Sequence, residues 1–107
     1  MLLDSYMDQE ITDLERDKLI NILLEELPAL RAKIGLSQDE LSSIVGISRQ
    51  TYSSIETGKR KMTWNTFLAL LLFFSHNEKT SAAIESIGAF PDSLKNVLNV
   101  DRRKREE

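Results

Sequence analysis

The segment from Leu36 to Lys59 constrains the fold of this 107-residue chain more than any other part. It contains two short runs with apolar residues at helical spacing, and a serine precedes each run. A serine in that position accepts a hydrogen bond from a free backbone N–H and caps the start of a helix. Gly46 lies between the runs, and glycine permits the left-handed backbone of a tight turn. The sequence therefore predicts two short helices joined by a turn.

The caps of these two helices can be assigned to particular residues. Ser37 followed by Glu40 has the spacing of a capping box, so the first helix begins there. Ser48 caps the second helix, in which Tyr52 and Ile55 lie on the side predicted to be buried. We expect the Tyr52 ring to be buried, with its hydroxyl on a phosphate or on a neighbouring backbone group.

A longer helix is predicted before this pair. Thr12 and Glu15 have capping-box spacing, and Gly35 stands at the usual glycine position after a helix. Pro28 interrupts the pattern because proline lacks a backbone donor, so we expect a bent helix or two helices meeting near Leu27. The apolar positions with mostly helical spacing are Leu14, Leu19, Ile22, Leu23, Leu27, Leu30 and Ile34.

The rest of the chain is also helical in pattern. A helix beginning at Thr63 or Trp64 is too broadly apolar for one stripe, so it should lie at the centre of the domain or face a partner. Residues 81–87 predict a shorter helix, and another begins near Ser93. Residues 1–11 lack a clear period and are predicted to be frayed. No strand pattern occurs, so the predicted fold class is all-α.

Composition excludes several classes of function. The chain has no cysteine and one histidine, which excludes disulfides, thiolate nucleophiles and Cys/His zinc sites. No glycine-rich phosphate loop and no nucleophile–base set occurs, so we expect no enzyme activity, metal or cofactor. There is no signal-peptide pattern, and the most apolar stretch, residues 66–75, is roughly half as long as a bilayer span. We expect a cytoplasmic protein without a membrane partner.

The net charge of −3 argues against a nucleic-acid partner, but the charge is unevenly distributed. Residues 1–26 sum to −6 and residues 27–107 to +3. Exposed charges more than about 10 Å apart are screened at 0.1 M salt, so a local basic rim can bind phosphates. We expect the acidic amino-terminal part to face away from DNA. The basic tail at residues 102–105 either adds nonspecific DNA affinity or is simply solvated.

The second short helix carries polar side chains suited to base recognition. With Ser48 as N-cap, Arg49 and Gln50 lie in the first turn, and Ser53 and Ser54 lie one turn further along the same face. Arginine can donate two hydrogen bonds to guanine, and glutamine can pair in the same way with adenine. The sequence predicts that these four residues face bases in the major groove.

Phosphate contacts are predicted at the helix starts and on the basic segment that follows the second helix. Free backbone amides and the positive end of the helix dipole favour an anion at a helix start. Basic side chains beyond the second helix can contact the DNA backbone. The predicted phosphate-binding residues are Gln38, Ser48, Thr51, Lys59, Arg60 and Lys61.

Three segments at fixed spacing resemble the lambda-repressor-like, Cro/CI-type (XRE) helix-turn-helix family over about residues 24–77. They are Leu36-Ser37-Gln38-x-Glu40-Leu41, Gly46-Ile47-Ser48-Arg49-Gln50-Thr51 and Ile55-Glu56-x-Gly58-Lys59-Arg60-Lys61. The resemblance implies a compact five-helix domain in which Gln38 contacts phosphate and Arg49, Gln50 and Ser54 face bases. It also implies a basic segment around Lys59 on the DNA backbone, and repression of transcription by dimers on paired half-sites.

Two departures from the family pattern bear on surfaces. Ser42 stands where the family favours an alanine packed between the two helices, and serine is small enough to fit. Ile44 stands where charged residues are frequent, which indicates an exposed contact surface.

These observations predict three regions. Residues 1–23 form an acidic, partly helical extension, residues 24–77 the helix-turn-helix domain, and residues 78–107 carboxy-terminal helices and a charged tail. The leading hypothesis is a repressor that binds double-stranded operator DNA as a homodimer. The alternatives are an antitoxin or other protein-interaction module on the same fold, and a helical scaffold without DNA affinity. Candidate dimer contacts are the extension and the apolar residues Ile84, Ile87, Phe90, Leu94, Val97 and Leu98.

Overall fold

A computed structural model describes residues 10–101, and all regular elements in that range are α-helices. The predicted all-α class is confirmed. The expected fraying of residues 1–9 and the basic tail at residues 102–105 lie outside the described residues. Within residues 10–101, no helix combines the length and apolar character needed to cross a membrane. The helices are α1 (Asp13–Ile34), α2 (Gln38–Val45), α3 (Arg49–Glu56), α4 (Trp64–His76), α5 (Ser81–Ile87) and α6 (Asp92–Leu98).

Hydroxyl side chains cap the first four helices. Thr12, Ser37 and Ser48 accept hydrogen bonds from backbone N–H groups at 3.1, 3.0 and 3.0 Å, as the sequence predicts. Thr63 caps α4 in the same way at 3.2 Å, so this helix begins at Trp64. These four caps satisfy amides that a helix start leaves unpaired, so each helix begins where its local sequence allows it.

Helix α1 runs through Pro28 without a break, so the alternative of two helices meeting near Leu27 is wrong. Pro28 is exposed, and the carbonyl left without a donor can be hydrated there. On the opposite side Leu23, Leu27 and Leu30 are buried and hold the helix against the domain. Leu14 does not belong to this apolar face, because its side chain is 80% exposed.

The amino-terminal extension shares the core of the domain. Ile11, which the sequence assigned to a frayed segment, is buried, as are Leu19 and Ile20. The Arg16 guanidinium lies 5.1 Å from the ring centroid of Trp64. The boundary expected between residues 23 and 24 falls inside α1, so the extension and the domain are joined by one helix.

Helices α1 and α4 form the scaffold on which the two short helices rest. Helix α4 packs on α1, α2 and α5, and α1 also contacts α3. The buried side chains of α4 are Phe67, Leu70, Leu71 and Phe74. Leu72 is not part of this face and remains exposed. Neighbouring helices therefore cover most sides of α4, as expected for a central helix. The side that carries Leu72 is exposed to solvent.

The carboxy-terminal helices close the other end of the core. Ile84 of α5 and Leu94 of α6 are buried within the monomer. Their assignment to a dimer contact is wrong, because a side chain buried in its own core cannot reach a second copy. Ile87, Phe90 and Val97 are partly buried against the same core, whereas Leu98 is 55% exposed.

Neighbouring leucines on α4 provide a matched test of this packing. Leu71 is 3% exposed and Leu72 is 72% exposed. We expect Leu71→Ala to lower the free energy of unfolding by about 2–5 kcal/mol, because it leaves a cavity. The same change at Leu72 should stay within about 0.5 kcal/mol of the wild type. Urea unfolding of both variants measures the difference, and equal losses would contradict the assigned orientation of α4.

Candidate nucleic-acid interface

A tight turn sets the relative positions of α2 and α3. Gly46 adopts a φ of 82°, and the N–H groups of Gly46 and Ile47 both donate to the Ser42 carbonyl, at 2.9 and 3.0 Å. Ser42 itself is buried, and its hydroxyl donates to the Asp39 carbonyl at 2.9 Å. A serine is tolerated between the helices because this hydrogen bond satisfies its hydroxyl.

Helix α3 divides into a buried side and a solvent side. Tyr52 and Ile55 are buried, whereas Arg49 and Gln50 are exposed. Ser53 and Ser54 lie beside the exposed pair and are partly accessible. None of these four polar side chains hydrogen-bonds or forms an ion pair with another residue among residues 10–101. The structure thus brings together the side chains predicted to face bases and leaves them without a described partner.

The hydroxyls of Ser48 and Thr51 bond to each other at the start of α3. Ser48 Oγ accepts from the Thr51 N–H at 3.0 Å and donates to Thr51 Oγ1 at 2.9 Å. The Ser48 proton is therefore used within the cap, while the Thr51 hydroxyl keeps a proton that can be donated. Of these two predicted phosphate contacts, Thr51 has the freer donor.

A partly buried ion pair joins three segments of the domain. Arg31 on α1 donates through Nε to Glu56 Oε2 at 3.0 Å and through Nη2 to Glu56 Oε1 at 2.8 Å. Its Nη1 donates to the Leu36 carbonyl at 2.9 Å. Gln38 Nε2 donates to Glu56 Oε1 at 3.1 Å. Glu56, the last residue of α3, is thereby tied to α1 and to the first residue of α2.

The protonation states of this cluster follow from its contacts. Burial raises the pKa of the Glu56 carboxyl, but hydrogen bonds led by that of Arg31 outweigh it, so the pKa lies below its usual range. The hydrogen bond to Glu56 raises the pKa of Arg31. Burial raises the pKa of the Tyr52 hydroxyl, which lies beside Arg31 and Glu56 without a hydrogen bond of standard geometry to either. Both expectations for this hydroxyl, a phosphate contact or a backbone contact, are therefore wrong.

Gln38 is predicted to contact phosphate, but its side-chain amide also hydrogen-bonds within this cluster. One amide N–H is engaged by Glu56, and the second is left to donate elsewhere. Neither Arg31 nor its ion pair with Glu56 is predicted from the sequence. The available signal was a charged residue on the apolar side of each helix, since Arg31 is four residues after Leu27 and Glu56 is four residues after Tyr52.

The basic segment after α3 contains cations in different situations. Lys59 and Arg60 are exposed, and neither side chain pairs with an acid within the described range. Lys61 Nζ lies 3.6 Å from Asp17 Oδ1, so this lysine contacts the acidic half of α1. Asp17 belongs to the acidic part that is expected to face away from DNA, and it lies beside a lysine that is predicted to contact phosphate. Because both side chains are more than half exposed, this ion pair is weak.

A second surface lies between the end of α2 and α4. Ile44 is exposed, as predicted from its departure from the family pattern. Together with Val45, Leu72 and Phe73 it lines an apolar groove of about 480 Å³, which His76 borders at the end of α4. Across residues 10–101, no three potential metal-ligating side chains from His, Cys, Asp and Glu come together.

A short helix that turns its polar side to solvent, next to a basic segment, is the arrangement of a DNA-binding helix-turn-helix domain. Comparison with protein families agrees: residues 29–73, which contain α2, α3 and most of α4, match a helix-turn-helix family model. Over residues 29–73 the chain is therefore similar to the Cro/CI-type (XRE) helix-turn-helix family, whose members are DNA-binding regulators. Comparisons with curated proteins and with solved structures give no significant match.

Neutralising Glu56 tests the ion pair. At pH 7 we expect Glu56→Gln to lower the free energy of unfolding by roughly 1–3 kcal/mol, because charge-assisted hydrogen bonds are lost. A depressed folded pKa stabilises the protein above the unfolded value of about 4.3, and this contribution disappears as the pH falls through the folded pKa. The gap between variant and wild type should therefore close below about pH 4.

Urea unfolding at several pH values measures both effects. Glu25→Gln, which removes an exposed carboxylate from α1, is the control and should stay within about 0.5 kcal/mol of the wild type. A Glu56→Gln variant whose stability deficit is the same at pH 3 and pH 7 would contradict the assigned ion pair.

Proposed function

We propose that this protein is a transcriptional repressor that binds operator DNA in a sequence-specific manner as a homodimer. The observation that carries the proposal is the solvent side of α3, where Arg49, Gln50, Ser53 and Ser54 have no described partner. The ion pair at Glu56 fixes the end of the same helix to the domain. A helix held in this way can enter the major groove without first becoming ordered, which favours binding.

Base recognition is assigned to the amino-terminal turns of α3. Arg49 donates two hydrogen bonds to a guanine, and Gln50 pairs with an adenine. Ser53 and Ser54 lie one turn further and contact neighbouring bases. These roles rest on exposure and on side-chain chemistry.

Phosphate contacts are assigned around the edges of α2 and α3. The free N–H of Gln38 and the hydroxyl of Thr51 are neutral donors, and the backbone amides at Ser48 add the positive end of the helix dipole. Lys59 supplies a positive charge that pairs with no acid among residues 10–101. Lys61 can exchange Asp17 for a phosphate at little cost, since the exposed pair is weak.

A dimer is favoured because the DNA-contacting surface of one monomer is small. One recognition helix contacts only a few base pairs, whereas a two-fold pair separated by about 34–36 Å reads two successive major grooves. Residues 78–107 remain the proposed dimerisation region, and Leu98 and Val100 are its most exposed large apolar side chains among the described residues. A dimer on an operator would block access of polymerase to the promoter in the cytoplasm.

A second candidate function is a protein-interaction module, such as an antitoxin that also binds DNA. The apolar groove beside Ile44 and Leu72 favours it, because exposed apolar surface of this kind often marks a protein contact. A defined protein that binds with equal affinity to the wild type and to Leu72→Glu would remove this support.

The base-reading role of Arg49 can be measured directly. We expect Arg49→Ala to weaken binding to a selected operator by roughly 1–3 kcal/mol and to relax the preference at one base pair, because two hydrogen bonds to guanine are lost. Fluorescence anisotropy with the selected site and with random DNA of equal length separates the two effects. Equal losses on both DNAs would contradict base reading.

Lys59→Ala is the matched control, since it removes a charge beside α3 and no predicted base contact. It should weaken binding to selected and random DNA alike. The slope of log affinity against log salt should become less steep by about one unit. An unchanged slope would exclude Lys59 from the phosphate contacts.

The homodimer can be tested by sedimentation. We expect the wild type to sediment as a dimer and Leu98→Glu to shift it toward monomer, because a charge would be placed in the apolar contact. Leu72→Glu, at an exposed leucine on another face, should remain dimeric. Dissociation by Leu72→Glu alone would locate the interface at the apolar groove instead.

A further inference from the structure

The backbone of Arg60 is fixed to the recognition helix. Gly58 adopts a φ of 82° and returns the chain toward α3. The N–H groups of Lys59 and Arg60 then both donate to the Ser54 carbonyl, at 2.9 and 3.0 Å. Arg60 is therefore attached to the last turn of α3.

The surroundings of Arg60 differ from those of its basic neighbours. Arg60 lines a polar groove of about 420 Å³ with Gln50, Thr51, Ser53 and Ser54. Lys59 does not line this groove, and Lys61 lies beside Asp17. Arg60 also borders a second groove against α1, but there the Asp17 carboxylate already contacts Lys61.

The chemistry of arginine suits this position. The guanidinium presents two parallel N–H donors that match O6 and N7 of guanine, whereas the lysine ammonium acts as a point charge. Arg60 is exposed. Its side chain can therefore enter the DNA major groove beside that of Gln50.

We propose that Arg60 is a specificity-determining residue that reads a guanine next to the base pair read by Gln50. This goes beyond the phosphate role predicted from the sequence, and it rests on the proposed sequence-specific binding of DNA. The recognition surface then extends from the first turn of α3 to the residue that folds back on its last turn.

Selection of bound sequences from random DNA tests the proposal with four proteins: wild type, Arg60→Ala, Arg60→Lys and Lys59→Ala. The wild type should select a guanine that Arg60→Ala no longer selects, and Arg60→Lys should select this guanine less strongly than the wild type. Arg60→Ala should bind the selected site roughly 10- to 100-fold more weakly, as expected for one lost bidentate contact. Arg60→Lys should keep the affinity of the wild type for random DNA, since its charge is retained. Lys59→Ala should select the same site as the wild type.

A change in the DNA provides an independent measurement. Replacing the selected guanine with 7-deazaguanine removes the N7 acceptor and leaves the phosphates unchanged. This replacement should weaken binding of the wild type and leave binding of Arg60→Ala unaffected. Circular dichroism and thermal unfolding of the exposed-site variants establish that each is folded.

The outcomes separate this inference from the proposed function. If the wild type selects a site and Arg60→Ala selects the same site, Arg60 contacts phosphate and only the present inference is overturned. If the wild type selects no sequence, sequence-specific binding fails, and base reading by Arg60 fails with it.

Discussion

The ion pair between Arg31 and Glu56 is the interaction on which the arrangement of α1, α2 and α3 depends. It joins residues 25 positions apart and brings α1, the start of α2 and the end of α3 to one point. A partly buried charge pair is costly to desolvate and stabilises a fold only when its remaining hydrogen-bonding groups are satisfied. Here Gln38 and the Leu36 carbonyl supply those extra hydrogen bonds. The pair fixes the rotation of α3, because Glu56 cannot turn away without leaving the Arg31 charge without its carboxylate partner.

This rotation explains how an acidic chain can present a surface suited to DNA. Only the charges near α3 would act on bound DNA, because salt screens the electrostatic effect of distant exposed charges. Lys59 and Arg60 project beside α3 without acidic partners among the described residues, and Asp17 offsets only Lys61. The net charge of −3 is thus a property of the whole chain, whereas the proposed DNA contacts lie on α3 and on the segment that follows it.

The candidate site was predictable where its signals are local. A cap involves residues three apart, so Ser48 identified the start of α3 and placed Arg49 and Gln50 in its first turn. The Arg31–Glu56 pair was missed because its members are far apart in sequence and each resembles an ordinary surface charge. The Arg31–Glu56 pair can be identified only when it is known that the apolar sides of α1 and α3 face each other.

The sequence by itself determined the all-α class, the caps of the short helices and the glycine turn at Gly46, because these depend on backbone hydrogen bonds between near neighbours. The tertiary structure decided what long-range packing controls. It kept α1 continuous through Pro28, since buried leucines hold both halves, and it buried Ile84 where a dimer contact was expected. It also attached Arg60 to the end of α3. Helical periodicity says which residues share a face, but only the packed fold says which of those faces remain open to DNA or to another protein.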